Sequence, residues 1–151
     1  MMKRIYTIGL ILCFLLTATK VYSFDFEVDG LCYNKLSDST VELTWKAVRT
    51  PYTGDVVVPN SVNYNGKRYE VVAIGEYAMV DIYSLYNDQA MCDINSELIS
   101  VSLPSSILSI NQHAFDSCVG LTSITIPSSV TSIGNDAFYP KSVVRLNFSH
   151  F

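Results

Sequence analysis

The sequence predicts a mainly β fold: a short solenoid of stacked coils entered through a hairpin-rich N-terminal cap. Three observations carry this reading. Residues 98–120 (LISVSLPSSILSINQHAFDSCVG) and 121–140 (LTSITIPSSVTSIGNDAFYP) are two copies of one unit. Leu98 maps to Leu121, Val101 to Ile124, Leu103 to Ile126, Pro104 to Pro127, Ile110 to Ile133, Ala114 to Ala137 and Phe115 to Phe138, always at an offset of 23. A fixed period of this length marks a stacked-repeat architecture, in which one unit cannot bury its own apolar edge and its neighbour does so. The second observation is a stretched copy, DVVVPNSVNYNGKRYEVVAIGEYAM (55–79), with Pro59 aligned to Pro104, Ile74 to Ile110 and Met79 to Phe115. The third is strand-like alternation bounded by Asp-Gly and Asn-Gly pairs.

The chain opens with MMKRIYTIGLILCFLLTATKVYSF. Lys3 and Arg4 precede an apolar run from Ile5 to Ala18, and small residues follow, with Val21 and Ser23 before a cut after Ser23. This is the pattern of a secretory signal peptide (1–23). The run is shorter than the roughly 20 residues a spanning helix needs. The protein is therefore expected to be exported: secreted, periplasmic or on the cell surface. Loss of Lys3, Arg4 and Lys20 takes the net charge from −4 to −7. Such a chain is not expected to bind nucleic acid or an anionic membrane surface, both of which attract basic patches. No later apolar run is long enough to span a bilayer.

Three cysteines remain, Cys32, Cys92 and Cys118. An odd number leaves at least one thiol unpaired. Cys118 suits a buried corner as a small hydrophobe; a Cys92–Cys118 bridge between neighbouring corners is the alternative.

Residues 24–54 read as the β-rich cap. Asp29-Gly30 signals a hairpin. In TVELTWKAV (40–48), Val41, Leu43, Trp45 and Ala47 share the inner side of a strand, and Glu42, Thr44 and Lys46 the outer. Residues 55–97 form the stretched first repeat, lengthened by two insertions. One carries Asn65-Gly66 between Tyr64 and Tyr69, a strong hairpin signal. In the other, VDIYSLYNDQAMCDINSE (80–97), apolar residues recur roughly every three or four positions (Ile82, Leu85, Tyr86, Met91, Ile94), and a short helix with poorly bounded ends is expected.

In the clean repeats, Leu121, Ile124 and Ile126 point inward and Ser123 and Thr125 outward. Pro127 stops the strand, because it cannot donate to a ladder. Ser128 and Ser129 suit the turn, their hydroxyls bonding the backbone nearby. Val130 and Ile133 point inward, Ala137 permits close stacking and Phe138 fills the centre. Residues 141–151 begin one more strand, with Val143, Leu146 and Phe148 as an incomplete last coil.

LTSITIPSSVTSIGNDAF closely resembles the BspA-like (Treponema-type) leucine-rich repeats, as do the IPxSVTSIG turn and the AFxxC corner. The resemblance is specific over 98–138 and extends in weaker form over 55–79. It implies a leucine-rich-repeat solenoid from exported proteins of gut and oral bacteria. Some members are adhesins that bind host matrix proteins or other bacteria.

Catalysis needs converging groups, and the sequence offers none: no phosphate loop, no paired-Cys metal motif, no HExxH. His113 stands where the sister repeat has Asp136, and His150 is at the tail. Asp93 and Asn95 resemble the start of a calcium loop whose downstream Gly and Glu are missing. The chain is thus read as a non-enzyme without cofactor or metal. The leading expectation is a secreted or surface protein-binding module using Ser100, Ser102, Ser123 and Thr125, flanked by Tyr83 and Tyr86. The plain alternative for the hydroxyl positions is solvation of a sheet face. Self-association through the open last coil and glycan binding through the two tyrosines complete the set.

Overall fold

A computed structural model describes residues 24–46, 50–86, 89–140 and 144–149. They form thirteen strands: β1 (Phe26–Val28), β2 (Leu31–Lys35), β3 (Thr40–Thr44), β4 (Gly54–Val57), β5 (Ser61–Tyr64), β6 (Lys67–Ile74), β7 (Asp81–Tyr86), β8 (Gln89–Asp93), β9 (Leu98–Ser102), β10 (Ser109–Ile110), β11 (Ser123–Ile126), β12 (Ser132–Ile133) and β13 (Arg145–Phe148). The signal-peptide assignment falls outside the described residues, as do Ala47, Val143 and His150.

The repeat offset becomes a strand ladder. In one sheet, β6, β10 and β12 pair in parallel, with Ile74 opposite Ile110 and Ile110 opposite Ile133. The opposite side of the coil holds β4 paired with β9, Val56 opposite Val101, and β11 paired with β13, Ile124 opposite Leu146. Corners stack as well: Met79 N–H donates to the Ala114 carbonyl at 2.9 Å and Phe115 N–H to the Ala137 carbonyl at 2.8 Å. Between the sheets Leu98, Val101, Leu121, Ile124 and Ile126 meet Ile74, Ile107, Ile110 and Phe115, all buried. Each such side chain removed from water contributes roughly 1.5–3 kcal/mol. Phe115 and Phe138 stack with ring centroids 5.0 Å apart and 7° between planes.

The N-terminal strands extend the same sheet. β1 and β2 form the hairpin expected at Asp29-Gly30, whose φ values of 51° and 78° are those of a type I′ turn. β2 pairs with β3, and β3 runs parallel to β6, so the front of the chain is laddered directly onto the first coil. Asn65-Gly66 makes the second hairpin, β5–β6, with φ of 49° and 75°.

Four expectations need correction. The insertion at 80–97 is not helical: β7 and β8 form an antiparallel hairpin with a register shift between Ile82 and Ser84. Cross-strand pairing along the backbone, which a local apolar spacing does not reveal, selects the strand. Thr44 is buried rather than outward, and its carbonyl accepts from the Tyr52 hydroxyl at 2.7 Å. The Ser129 hydroxyl does not bond its own turn but donates to the Ile107 carbonyl of the preceding coil at 2.7 Å, as its repeat mate Ser106 does to the Val71 carbonyl at 2.7 Å. Finally, Ile133 is 41% exposed although its register partner Ile110 is 0% exposed, and Val130 is only half-buried. β12 ends the ladder, and no coil in the described residues covers these positions.

Candidate functional site

The outer face of β4, β9, β11 and β13 is built by strand alternation. Along β11, Ile124 and Ile126 are buried and Ser123 and Thr125 exposed; along β9, Val101 is buried and Ser100 and Ser102 exposed. Strand pairing then sets rows across the face. Asp55 lies opposite Ser100, and Ser123 opposite Arg145. In the next row Val57 lies opposite Ser102, and Thr125 opposite Asn147. All eight are exposed.

β9 pairs with β4 and β11 with β13, in two separate sheets. Where these meet, a cleft of about 530 Å³ opens between β9 and β11. Ser100, Ser102, Ser123 and Thr125 all line it, together with Ser105 and Ser149. The four hydroxyl positions named from the sequence are therefore brought together in one hollow. Their hydroxyls can donate and accept, with no net charge in the hollow itself. The Ser100 hydroxyl donates to the Asp55 carboxylate at the rim. Strand pairing places Tyr83 and Tyr86 in β7, Tyr86 opposite Gln89; their side chains lie outside the description.

Asp55, Arg145 and Asn147 were absent from the sequence-based set. The signal that finds them is register. Asp55 sits 45 residues before Ser100, the offset of Pro59 from Pro104, and Arg145 sits 22 after Ser123.

The groups that carry chemistry elsewhere are engaged structurally. His113 Nδ1 lies 3.0 Å from Asp116 Oδ2, and the Ser117 hydroxyl donates to Asp116 Oδ1 at 2.8 Å. Ser117 and His113 thus share a carboxylate, whereas a nucleophilic serine must give its proton to the histidine. The His113 ring stacks on Tyr77, centroids 5.0 Å apart. Burial, with Asp116 and Asp81 adding, pushes the Cys92 thiol up to about 11. Burial likewise pushes Cys118 up to about 12, aided by Asp116 and Cys92. Both stay protonated at neutral pH, the unreactive form. Cys32, Cys92 and Cys118 are free thiols, and Cys118 Sγ donates to the Met79 carbonyl at 3.3 Å.

Asn95 is 2% exposed, and its side chain is spent on the backbone. Its Nδ2 donates to the Met79 and Tyr52 carbonyls, and its Oδ1 accepts from Glu97 and Leu98 N–H groups. Among the described residues no group of three or more His, Cys, Asp or Glu gathers as a metal site. No helix there is long and apolar enough to cross a membrane.

Comparison with known proteins agrees with this architecture. Residues 88–150 match the family described as BspA type leucine rich repeat region (6 copies). No curated protein matches the sequence. A leucine rich cell surface protein from Faecalibacterium prausnitzii superposes with a TM-score of 0.60 at 21% identity, over 82% of this chain and 31% of that one. This chain thus spans about a third of that protein's length. A leucine-rich repeat protein from Bacteroides capillosus gives 0.50 at 23% identity, covering 83% and 98%. The pneumococcal vaccine antigen PcpA gives 0.50 at 16% identity, covering 82% and 38%. At these identities the likeness establishes the fold.

Proposed function

We propose that this chain, which carries a BspA-type leucine-rich repeat region, is a non-catalytic binding module of the adhesion type, exported and displayed at or beyond the cell surface. Its contact face is the outer face formed by the β4–β9 and β11–β13 sheets. The observation that carries this reading is the cleft between β9 and β11, lined by Ser100, Ser102, Ser123 and Thr125. Hydroxyls on a rigid sheet can contact a partner without the entropy cost of ordering long side chains. Two of the similar structures are described as a cell surface protein and a vaccine antigen, which supports the location. A host matrix protein or a bacterial surface protein is the expected partner class.

The test is an array of host-matrix proteins, bacterial surface proteins and glycans. Binding to a protein should be lost when the cleft is filled by Ser102→Tyr with Thr125→Tyr. Unchanged binding in that variant removes the cleft from the account. A Tyr83→Ala/Tyr86→Ala variant asks whether the β7–β8 hairpin takes part.

One observation favours a second reading, self-association through the last coil. Ile133 and Phe148 are exposed, and a hollow of about 620 Å³ lined by Ile133, Phe138, Val144 and Leu146 lies beside them. An Ile133→Asp variant separates the two surfaces.

A further inference from the structure

We infer that the outer face mates with the same face of a second copy, about a two-fold axis that runs along the β9/β11 cleft. This rests on the reading of that face as a contact surface and names its partner.

Charge placement carries the inference. Pairing sets Asp55 beside Ser100 and Ser123 beside Arg145, then Val57 beside Ser102 and Thr125 beside Asn147. The 23-residue repeat offset makes Ser100 equivalent to Ser123 and Ser102 to Thr125, so the half-rows join as Asp55, Ser100, Ser123, Arg145 and Val57, Ser102, Thr125, Asn147. One row therefore ends in an acid at β4 and a base at β13, with small neutral hydroxyls between. The two charges stand on the outermost strands of the face, with the β9/β11 cleft between them. Both are exposed, and the Ser100 hydroxyl fixes the carboxylate at the face.

A two-fold axis lying in the face and parallel to the strands turns a second copy face to face. It reverses strand order but keeps each residue in its row. β4 of one copy then lies over β13 of the other, and β9 over β11. Asp55 meets the second copy's Arg145, and by symmetry Arg145 meets the second copy's Asp55. The two hollows face one another across the axis, so Ser100, Ser102, Ser123 and Thr125 of both copies line one shared polar space. The contact is isologous and closes at two copies. An axis across the strands would instead set Asp55 on Asp55 and Arg145 on Arg145, and like charges oppose it. Charge thus selects one axis.

Sedimentation velocity over a range of protein concentrations tests this. The expected result is a monomer–dimer equilibrium that weakens with added salt, because exposed pairs are screened. Asp55→Arg and Arg145→Asp should each raise the dissociation constant roughly tenfold, since each pair occurs twice and becomes repulsive. The double variant Asp55→Arg/Arg145→Asp should restore association. Circular dichroism checks that each exposed-site variant is folded. A strict monomer at every concentration overturns the inference. So does a dimer indifferent to the single reversals, or a double variant as weak as either single. A dimer lost in Ile133→Asp but untouched by charge reversal also overturns it, by moving the contact to the β12 edge. The contact-face reading is judged separately. A monomer whose array binding is lost on filling the cleft refutes the second copy as partner and keeps that reading.

Discussion

Asn95 Nδ2 donates to the Met79 carbonyl at 2.8 Å and to the Tyr52 carbonyl at 3.0 Å. One side chain thereby ties together the residue entering β4, the corner of the first coil and the start of β9. The backbone adds to it, with Asn95 N–H donating to the Ser117 carbonyl at 3.0 Å and Gly120 N–H to the Asn95 carbonyl at 3.3 Å. Replacing Asn95 by Ala leaves the Tyr52 carbonyl and the Glu97 and Leu98 N–H groups without that partner, while the Met79 carbonyl keeps the Cys118 thiol. Each orphaned group costs about 1–3 kcal/mol, so Asn95→Ala should lower stability by roughly 3 kcal/mol or more. Urea unfolding of the variant against the parent measures this. A loss within about 0.5 kcal/mol, the range of ordinary surface changes, would show that the hub is dispensable.

The stacked phenylalanines fill the centre of the coils. Phe115 is 0% exposed and Phe138 6%. Truncation of Phe115 to Ala should cost roughly 3–5 kcal/mol, from lost transfer energy and the cavity left behind. Phe138→Ala should cost less, because among the described residues no coil stacks beyond β12 beside it. Thermal unfolding of the two variants checks the order, and equal losses would argue that the last coil is as tightly packed as its neighbour.

Glu42 makes stability depend on pH with a sign opposite to most carboxylates. Burial raises its pKa above 4.5, and the nearby Glu76 adds to this, while hydrogen bonds from Asn34 and Asn111 oppose it. The folded state therefore holds the proton more tightly than the unfolded chain. The Glu42 contribution is fully present below the unfolded pKa and is lost as pH rises through the folded one. Denaturant midpoints compared with Glu42→Gln across this range should show the parent losing ground to the variant as pH rises. A constant difference between the two would sink the assignment.

The cysteine environments predict slow chemistry. With Cys118 near 12 and Cys92 near 11, iodoacetamide at pH 8 should label neither quickly in the folded protein and both quickly in urea. Rapid labelling of Cys118 in the folded state would place it outside the core.

The fold was legible where the signal is local or periodic. Ile110 predicts Ile133 by offset, and the structure pairs them; Asn65-Gly66 predicts a type I′ hairpin, and the φ values are there. The rest depends on what lies opposite. β7 and β8 carry apolar residues whose spacing fits two periods, and only cross-strand pairing selects the strand. The work of Asn95 is set by carbonyls 16 and 43 residues away, which no local pattern reveals. Ile133 matches its repeat mate in sequence but not in burial, because burial belongs to the neighbouring coil. The hydroxyl face followed from alternation, whereas the charges that bound it needed register. Arg145 in particular stands at an offset of 22 rather than 23.

The central claim is that contact is made through the hydroxyl-lined cleft of the outer face. Backbone amide shifts of ¹⁵N-labelled protein, followed as an array-selected partner is added, test it most directly. The account predicts perturbations concentrated at Ser100, Ser102, Ser123 and Thr125 and fading toward the β1–β2 hairpin. Perturbations confined to β12 and the Phe138 corner, with the four hydroxyl positions unmoved, would contradict it.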